Sequence, residues 1–293
     1  MKKLILVERD KMIYLLIAPI LIITIYLIII NISTNIKEYE VKNDKISDEF
    51  NNYKISHISD FHNLKSKRRQ RKISSEVNKT NILVITGDMV DSAYDKLDNI
   101  KSFLKQITIP IYYVDGNHEK PLKAYSAYIK MLNSLNVNIV NNIKEDVIIN
   151  NKKISIYGLK DPSFEASKLN KEVQNKNLIV IRNRLSKFNF DENTFNILLS
   201  HRPEAFNTYS KYPFDLVLSG HAHGALLKIG KYRLFSPNQG FNPKYAGGLY
   251  ELNNTLMIVS EGLNNSGISF RINVKPTLVI VKLNNSKDKY EKR

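Results

Sequence analysis

The sequence predicts an α/β domain with a second, more antiparallel sheet, set behind one membrane-spanning helix. Three observations predict it. From Tyr53 to Leu218, short apolar runs alternate with amphipathic segments, the strand–helix order of an α/β protein. From Gly230 onward, short β-like segments alternate with Gly- and Asn-rich turns, and no helical pattern appears. Near the amino terminus, Met12 to Ile30 runs for 19 residues without a charge.

That apolar run is the first element. As a helix it spans roughly 28 Å, enough for a hydrocarbon core of about 30 Å. Pro19 is tolerable in such a helix, and Tyr14 and Tyr26 sit near its ends, where aromatic rings settle. The following NISTN lacks the small-residue pattern of a cleavage site, so an uncleaved anchor is expected rather than a signal peptide. Lys2, Lys3, Arg9 and Lys11 precede the run, whereas Lys37, Lys42 and Lys45 follow it. The excess before it favours a cytoplasmic amino-terminal tail (1–11), a single-pass anchor (12–30) and a catalytic domain on the external face of the cell membrane. Residues 31–52 are polar and mixed in charge and read as a stalk or a short lead-in strand. The folded domain is expected over 53–293.

Composition narrows the chemistry. The 293 residues are 43% hydrophobic, ample for a core. There is no cysteine, so a metal site here must use imidazole, carboxylate, amide or water. The net charge of +16 favours anionic surroundings. No aromatic-interleaved basic platform accompanies it, which argues against specific nucleic-acid binding. Nothing in the sequence points to a protein partner.

The remaining elements follow in order. Tyr53 to Ser59 alternates as a strand and enters Asp60-Phe61-His62. Lys65 to Lys72, KSKRRQRK, reads as the solvated start of a helix reaching about Asn78, or as a contact for anionic lipid head groups or an anionic substrate tail. Ile82 to Thr86 is a continuous apolar strand ending in Gly87-Asp88-Met89-Val90-Asp91. A helix is expected from Tyr94 to Gln106. Ile109 to Val114 is the next strand and ends in Asp115-Gly116-Asn117-His118-Glu119. Ala124 to Leu135 has helical spacing. Val137–Val140, Val147–Ile149 and Ile154–Tyr157 read as strands, as does Phe195–Leu199, which ends in Ser200-His201. A helix is expected to begin within Pro203–Tyr209. Leu216–Leu218 then delivers Gly220-His221-Ala222-His223-Gly224, and Tyr250–Leu252, Leu256–Val259 and Thr277–Leu283 are the strands of the tail.

The chain has only six histidines. Five lie in polar clusters after apolar runs, and His57 sits inside a run as a structural residue. Asp60, His62, Asp88, Asn117, His118, His201, His221 and His223 offer more ligand capacity than one ion needs. Two ions about 3.5–4 Å apart can clamp a phosphoryl group and deprotonate a bridging water for in-line attack. Asp88 is the natural shared carboxylate, because its neighbour Gly87 permits close approach. The mixed donor set suits Mn, Fe or Zn over Ca or Mg, with Mn favoured. One histidine should stay free to donate a proton. Asp91 and Glu119 read as orienters rather than ligands. Asp161 reads equally as a turn former or a site residue. Arg202 and Arg271 read as surface residues or phosphate contacts, with the surface favoured for Arg202.

Asp60-x-His62, Gly87-Asp88, Gly116-Asn117-His118-Glu119, His201 and Gly220-His221-x-His223, in this order, resemble the calcineurin-like metallophosphoesterase family. The resemblance implies two stacked mixed β-sheets flanked by helices. It implies Asp60, His62, Asp88 and His223 as ligands of one divalent ion, and Asp88, Asn117, His201 and His221 as ligands of the other. It implies His118 as the general acid. The anchor, GHAHGA and Ser260 to Gly267 are similar to the bacterial membrane-associated branch of phosphodiesterases. That likeness implies hydrolysis of a phosphodiester, phosphomonoester or pyrophosphate bond by a metal-bridging hydroxide, on a lipid-linked or cell-envelope substrate such as a UDP-diacylglucosamine-like compound. Ser92 stands where protein phosphatases of the family carry an arginine, and Glu261 stands where this branch is expected to carry a basic residue. An idle binding protein that keeps the fold, and a nuclease or nucleotidase, are the competing readings.

Overall fold

The computed structural model describes the backbone of residues 2–91, 96–170, 175–230, 232–236, 239–265 and 270–289, with side chains from residue 14 to residue 287. Ser92, Ser266, Gly267 and the expected helix start at Tyr94 lie outside the described residues.

The apolar run lies within one helix, α1 (Lys2–Ile32). Its segment Tyr14–Ile32 has a mean hydropathy of 2.8 and is 6% buried, so it is long and apolar enough to cross a membrane. No stalk follows. Ser33 and Thr34 lead straight into β1 (Asn35–Asn43), which pairs in parallel with the last strand of the chain along nine residues. Of the two readings of 31–52, a stalk or a short lead-in strand, β1 is the lead-in strand, and the reason the sequence left both open is physical. β1 is an edge strand whose charges, Lys37, Glu38, Glu40 and Lys42, blunt its open side. Its apolar points are few, yet Val41, Ile46 and Phe50 are all in the core.

The chain then builds the first sheet and its helices: β2 (Tyr53–Ile58), α2 (Lys67–Val77), β3 (Ile82–Thr86), α3 (Asp98–Leu104), β4 (Ile111–Val114), α4 (Tyr125–Ser134) and β5 (Val137–Ile139). The second sheet follows: β6 (Lys144–Ile149), β7 (Lys152–Leu159), α5 (Ser163–Ala166), α6 (Lys176–Leu185), β8 (Phe195–Ser200), α7 (Phe206–Tyr209) and β9 (Leu216–Ser219). The tail gives β10 (Leu227–Ile229), β11 (Tyr232–Ser236), β12 (Gly240–Phe241), β13 (Gly248–Leu252), β14 (Thr255–Val259) and β15 (Thr277–Asn285).

One six-stranded sheet has the order β1-β15-β2-β3-β4-β5 and the other β13-β14-β9-β8-β7-β6. Both are mixed, and the tail as a whole does not make one antiparallel sheet. It divides: β13 and β14 extend the second sheet, β15 inserts between β1 and β2 in the first, and β10-β11-β12 form a small antiparallel sheet of their own. The two large sheets stack, and helices cover their outer faces.

Period-2 alternation sorts the strand side chains. Ile82 and Val84 of β3, with Phe195, Ile197 and Leu199 of β8, fill the space between the sheets. Leu83 and Ile85 face outward and pack with Ile73 and Val77 of α2 and Phe103 of α3. Leu198 and Val217 face the other way, against Ile181 and Leu185 of α6. A strand buried on both faces reads as an unbroken apolar run, which is why β3, β8 and β9 were visible in the sequence. His57 lies within the sandwich, fully buried, with Nε2 2.8 Å from Thr86 Oγ1. Burial depresses its pKa to about 3, so it is neutral and structural, as expected.

The carboxyl ends of β2, β3 and β4 in one sheet and of β8 and β9 in the other meet at one rim of the sandwich. Open α/β sheets present their ligand sites there.

Candidate metal centre

Backbone hydrogen bonds fix the loops at this rim. The amides of Asp60, His62 and Asn63 donate to the carbonyls of Gly87, Asp88 and Met89 at 3.2, 3.1 and 3.0 Å. On the other side, the amides of Leu263 and Asn264 donate to the carbonyls of Ser59 and Asp60. Glu119 ties the β3 and β4 loops together: its carboxylate accepts from the amides of Asp88, Met89 and Gly116 at 3.0, 2.8 and 2.8 Å. Glu119 thus orients and takes no ligand position. Burial, together with the charges of Asp88 and Asp115, pushes its carboxyl up to about 8 against these amide donors.

Two glycines allow the approach. A Cβ on Gly87 would lie 2.5 Å from Gly116 Cα, so the β3 and β4 loops touch only because both residues are glycine. A Cβ on Gly220 would overlap Ser59 Oγ and crowd the Asp60 carboxylate. Gly220→Ala is therefore expected to destabilise the fold by about 1–3 kcal/mol, as overpacking does, and to weaken metal uptake. Chemical denaturation with and without added Mn checks this, and an unchanged midpoint would show that the rim can relax.

The candidate ligands converge in two groups. In the first, Asp60 Oδ1 lies 3.9 Å from His62 Nε2 and 3.5 Å from His223 Nε2. In the second, His201 Nε2 lies 3.1 Å from Asp88 Oδ2, 3.2 Å from Asn117 Oδ1 and 3.0 Å from His221 Nδ1. Asp88 Oδ2 is also 4.0 Å from His62 Nε2, so this one oxygen borders both groups. All seven sequence-derived ligand candidates are brought together, and His118 stands beside them with Nε2 4.0 Å from Asp88 Oδ2.

The donor set fits divalent cations on three counts. Asp60 Oδ1 and His62 Nε2 are buried and accept or donate no hydrogen bond, a costly arrangement unless something else satisfies them. His62 Nδ1 faces the carbonyl of Val90 at 3.2 Å and His201 Nδ1 that of Thr86 at 2.7 Å, which turns each Nε2 towards the cluster. Burial, then the guanidinium of Arg271, lowers His223 to about 3; burial lowers His62 to about 4; and burial with Arg202 lowers His221. These rings are neutral, as ligands must be. His201 differs. Burial opposes its charge, but the Asp88 carboxylate outweighs that and raises it to about 10.

Five of the seven candidates, Asp60, His62, Asp88, His221 and His223, have positive φ. Such residues cost about 1–3 kcal/mol each and cluster where a site over-determines them. A cation that ties them together should therefore stabilise the fold markedly. At a hundredfold excess over Kd, a divalent cation is expected to add about 2.7 kcal/mol and raise Tm by roughly 5–10 °C over the metal-stripped protein. Calorimetry with and without chelator tests this; coincident melting curves would count against a metal site.

The sequence left three further residues undecided. Arg202 is not at the surface: it makes a two-point ion pair with Asp161 (Nε–Oδ2 2.6 Å, Nη2–Oδ1 3.2 Å), and its Nη1 lies 2.9 Å from His221 Nε2. Asp161 accordingly belongs to the site surround. Arg271 is completely buried; it donates to the carbonyls of Glu261 and Asn264 at 2.5 and 2.6 Å and reaches within 3.4 Å of His223 Nδ1. Glu261 is held by Lys37 at 2.6 Å and Arg233 at 2.9 Å, so its charge is consumed internally. Only the adjacency of Arg202 to His201 hinted at any of this in the sequence.

Comparison with known proteins shows the family. A family model described as calcineurin-like phosphoesterase matches residues 53–225. A metallophosphoesterase of Bacillus subtilis, YkuE, is 25% identical over 84% of this chain and 84% of its own. One from Aquifex aeolicus is 29% identical over 84% of this chain and 90% of its own. A bovine transmembrane protein with a metallophosphoesterase domain is 29% identical over 80% of this chain and 53% of its own. The family depends on two metal ions, and the clusters able to hold them are present here. With two stacked mixed sheets, the ordered ligand motifs and the matching family model, this chain belongs to the calcineurin-like phosphoesterase family and is a metal-dependent phosphoester hydrolase.

Proposed function

We propose that this protein is a membrane-anchored dinuclear phosphoesterase acting on a lipid-linked phosphodiester or pyrophosphate. The observation that carries the reading is Arg271. Its backbone exchanges two 3.0 Å hydrogen bonds with the side chain of Asn31, at the end of α1, and its guanidinium reaches His223. One residue thus separates the candidate metal centre from the anchor, and a substrate held in the bilayer needs no excursion to reach it.

In this reading Asp60, His62, Asp88 and His223 hold one ion, and Asp88, Asn117, His201 and His221 the other. The pair, with Mn favoured, supplies charge neutralisation at the phosphoryl oxygens and an activated water. The chain's own residues do the rest. Asp88 fixes the spacing, and its Oδ1 accepts the amide of His118 at 2.9 Å. His118 is the one histidine of the cluster that is partly exposed, with 22% of its side chain accessible. It can therefore meet the leaving oxygen and protonate it. Arg202 is locked by Asp161 and borders a cavity of about 520 Å³ lined by Ala166, Leu178, Ile181, Ala205 and Lys120. Ser163, Asn175, Lys176 and Glu204 also line it, so the cavity offers apolar wall, cations and hydrogen-bonding groups to the organic part of a phosphoester. Placement of the domain outside the cytoplasm rests on the lysine and arginine excess before the anchor.

The test uses the full chain in liposomes, loaded with Mn. A UDP-diacylglucosamine-type substrate in the bilayer should turn over faster than bis-p-nitrophenyl phosphate or free nucleotides. If soluble nucleotides are cleaved faster, with or without a bilayer, the nucleotidase reading replaces this one.

A further inference from the structure

We infer that the catalytic domain itself seats on the bilayer, through an apolar rim beside α1 made by the small β10-β11-β12 sheet and the segment 270–272. The inference rests on the reading of α1 as a membrane anchor and goes beyond it, because an anchor alone leaves the domain free to tumble at the surface.

The geometry is specific. Asn31 of α1 bonds the backbone of Arg271, and Tyr26 Oη donates to Asn273 Oδ1. Residues 271–273 therefore run alongside the last turns of α1. Tyr26 lies six residues before the helix end at Ile32 (32 − 26 = 6), a depth of roughly 9 Å at 1.5 Å per residue. The same segment is joined to β10: the Ile272 amide donates to Leu226 O at 2.7 Å, the Lys228 amide to Ile272 O at 3.1 Å, and Asn273 Nδ2 to Lys228 O at 3.0 Å. The small sheet is thereby held at the level of the apolar span.

Five of the eight large apolar side chains exposed after α1 among the described residues lie on this sheet or on the adjoining 270–272 segment. Phe241 is 83% accessible, Tyr232 64%, Phe270 61%, Ile229 59% and Ile272 40%. Large apolar side chains gathered on one rim mark an interaction site, and here the rim is continuous with a lipid-spanning helix. Aromatic and aliphatic residues at such a level settle about 5–10 Å into the boundary between head groups and acyl chains. Charge agrees with that partner. Arg69 bonds Thr34 Oγ1 at 3.3 Å and Lys72 Nζ lies 3.5 Å from Thr34 O, bringing the start of α2 to the end of α1. Cations at this position attract anionic head groups. The basic run and the apolar rim both adjoin the end of α1, so the domain has contacts with the bilayer beyond the anchor itself.

The absence of cysteine makes the test clean. Single cysteines at Leu21→Cys, Phe241→Cys, Phe270→Cys and Ile148→Cys are labelled with an environment-sensitive fluorophore in the full chain, in vesicles of phosphatidylethanolamine and phosphatidylglycerol with doxyl-labelled phosphatidylcholine. Ile148 is an exposed apolar residue on β6, at the far edge of the second sheet, and serves as the control. Labels at 241 and 270 are expected to be quenched about twofold or more, relative to spin-label-free vesicles, as insertion into the boundary requires. The label at 148 should be unaffected. Quenching at 21 with none at 241 and 270 would overturn the seated domain while leaving the anchor intact. No quenching at 21 would overturn the anchor, and the seat with it.

Discussion

Asp88→Asn is expected to lower turnover by roughly 10³-fold, the equivalent of about 4 kcal/mol of transition-state stabilisation, and to cost both ions rather than one. The reasoning is geometric. Asp88 Oδ2 is 3.1 Å from His201 and 4.0 Å from His62, and no other carboxylate among the described residues borders both groups. Asparagine keeps the shape and can still accept the His118 amide, so the fold should survive. What disappears is the negative charge between two cation positions. Elemental analysis of the purified variant, beside its rate on bis-p-nitrophenyl phosphate, separates the possibilities. Two equivalents of metal and an unchanged rate would remove Asp88 from the shared position.

His118→Ala is expected to slow hydrolysis by about 10²–10⁴-fold while leaving metal content unchanged. His118 touches Asp88 through its backbone amide, which alanine retains, and its ring belongs to the open side of the cluster. The loss should depend on the leaving group: large for an alkyl phosphodiester, which needs a proton on departure, and small for a p-nitrophenyl ester, which does not. Equal losses on both would assign the ring a role in holding the cluster, and a parallel loss of metal would make it a ligand.

The candidate site was legible because its chemistry forces a pattern. Imidazole and carboxylate had to gather at strand ends, so Asp60-x-His62, Asp88, Asn117-His118 and His221-x-His223 stood out against apolar runs. The strands behind them were legible because burial on both faces leaves no polar interruption. Elsewhere local pattern was insufficient. Whether Leu256–Val259 and Thr277–Leu283 share a sheet is decided by distant partners, so the tail looked like one antiparallel unit although it serves two sheets. The β1 segment could be read as a stalk or as a lead-in strand, because an edge strand needs only one apolar side and carries charge on the other. Arg202 looked like a surface residue because a buried arginine is recognisable only beside its carboxylate, and Asp161 lies 41 positions away in the chain.

The parallel pairing of β1 with β15 has a consequence for biosynthesis. Asn35 faces Thr277, so the strand that emerges first after α1 finds its partner only about 240 residues later. At translation speeds of about 5–20 residues per second, that wait is about 12–50 s. During it, β1 and β2 each present an unpaired edge. Such edges invite pairing with other chains. Nascent chains stalled before Thr277 should therefore be the aggregation-prone and protease-sensitive species, and quality control of this protein should act on its last strand.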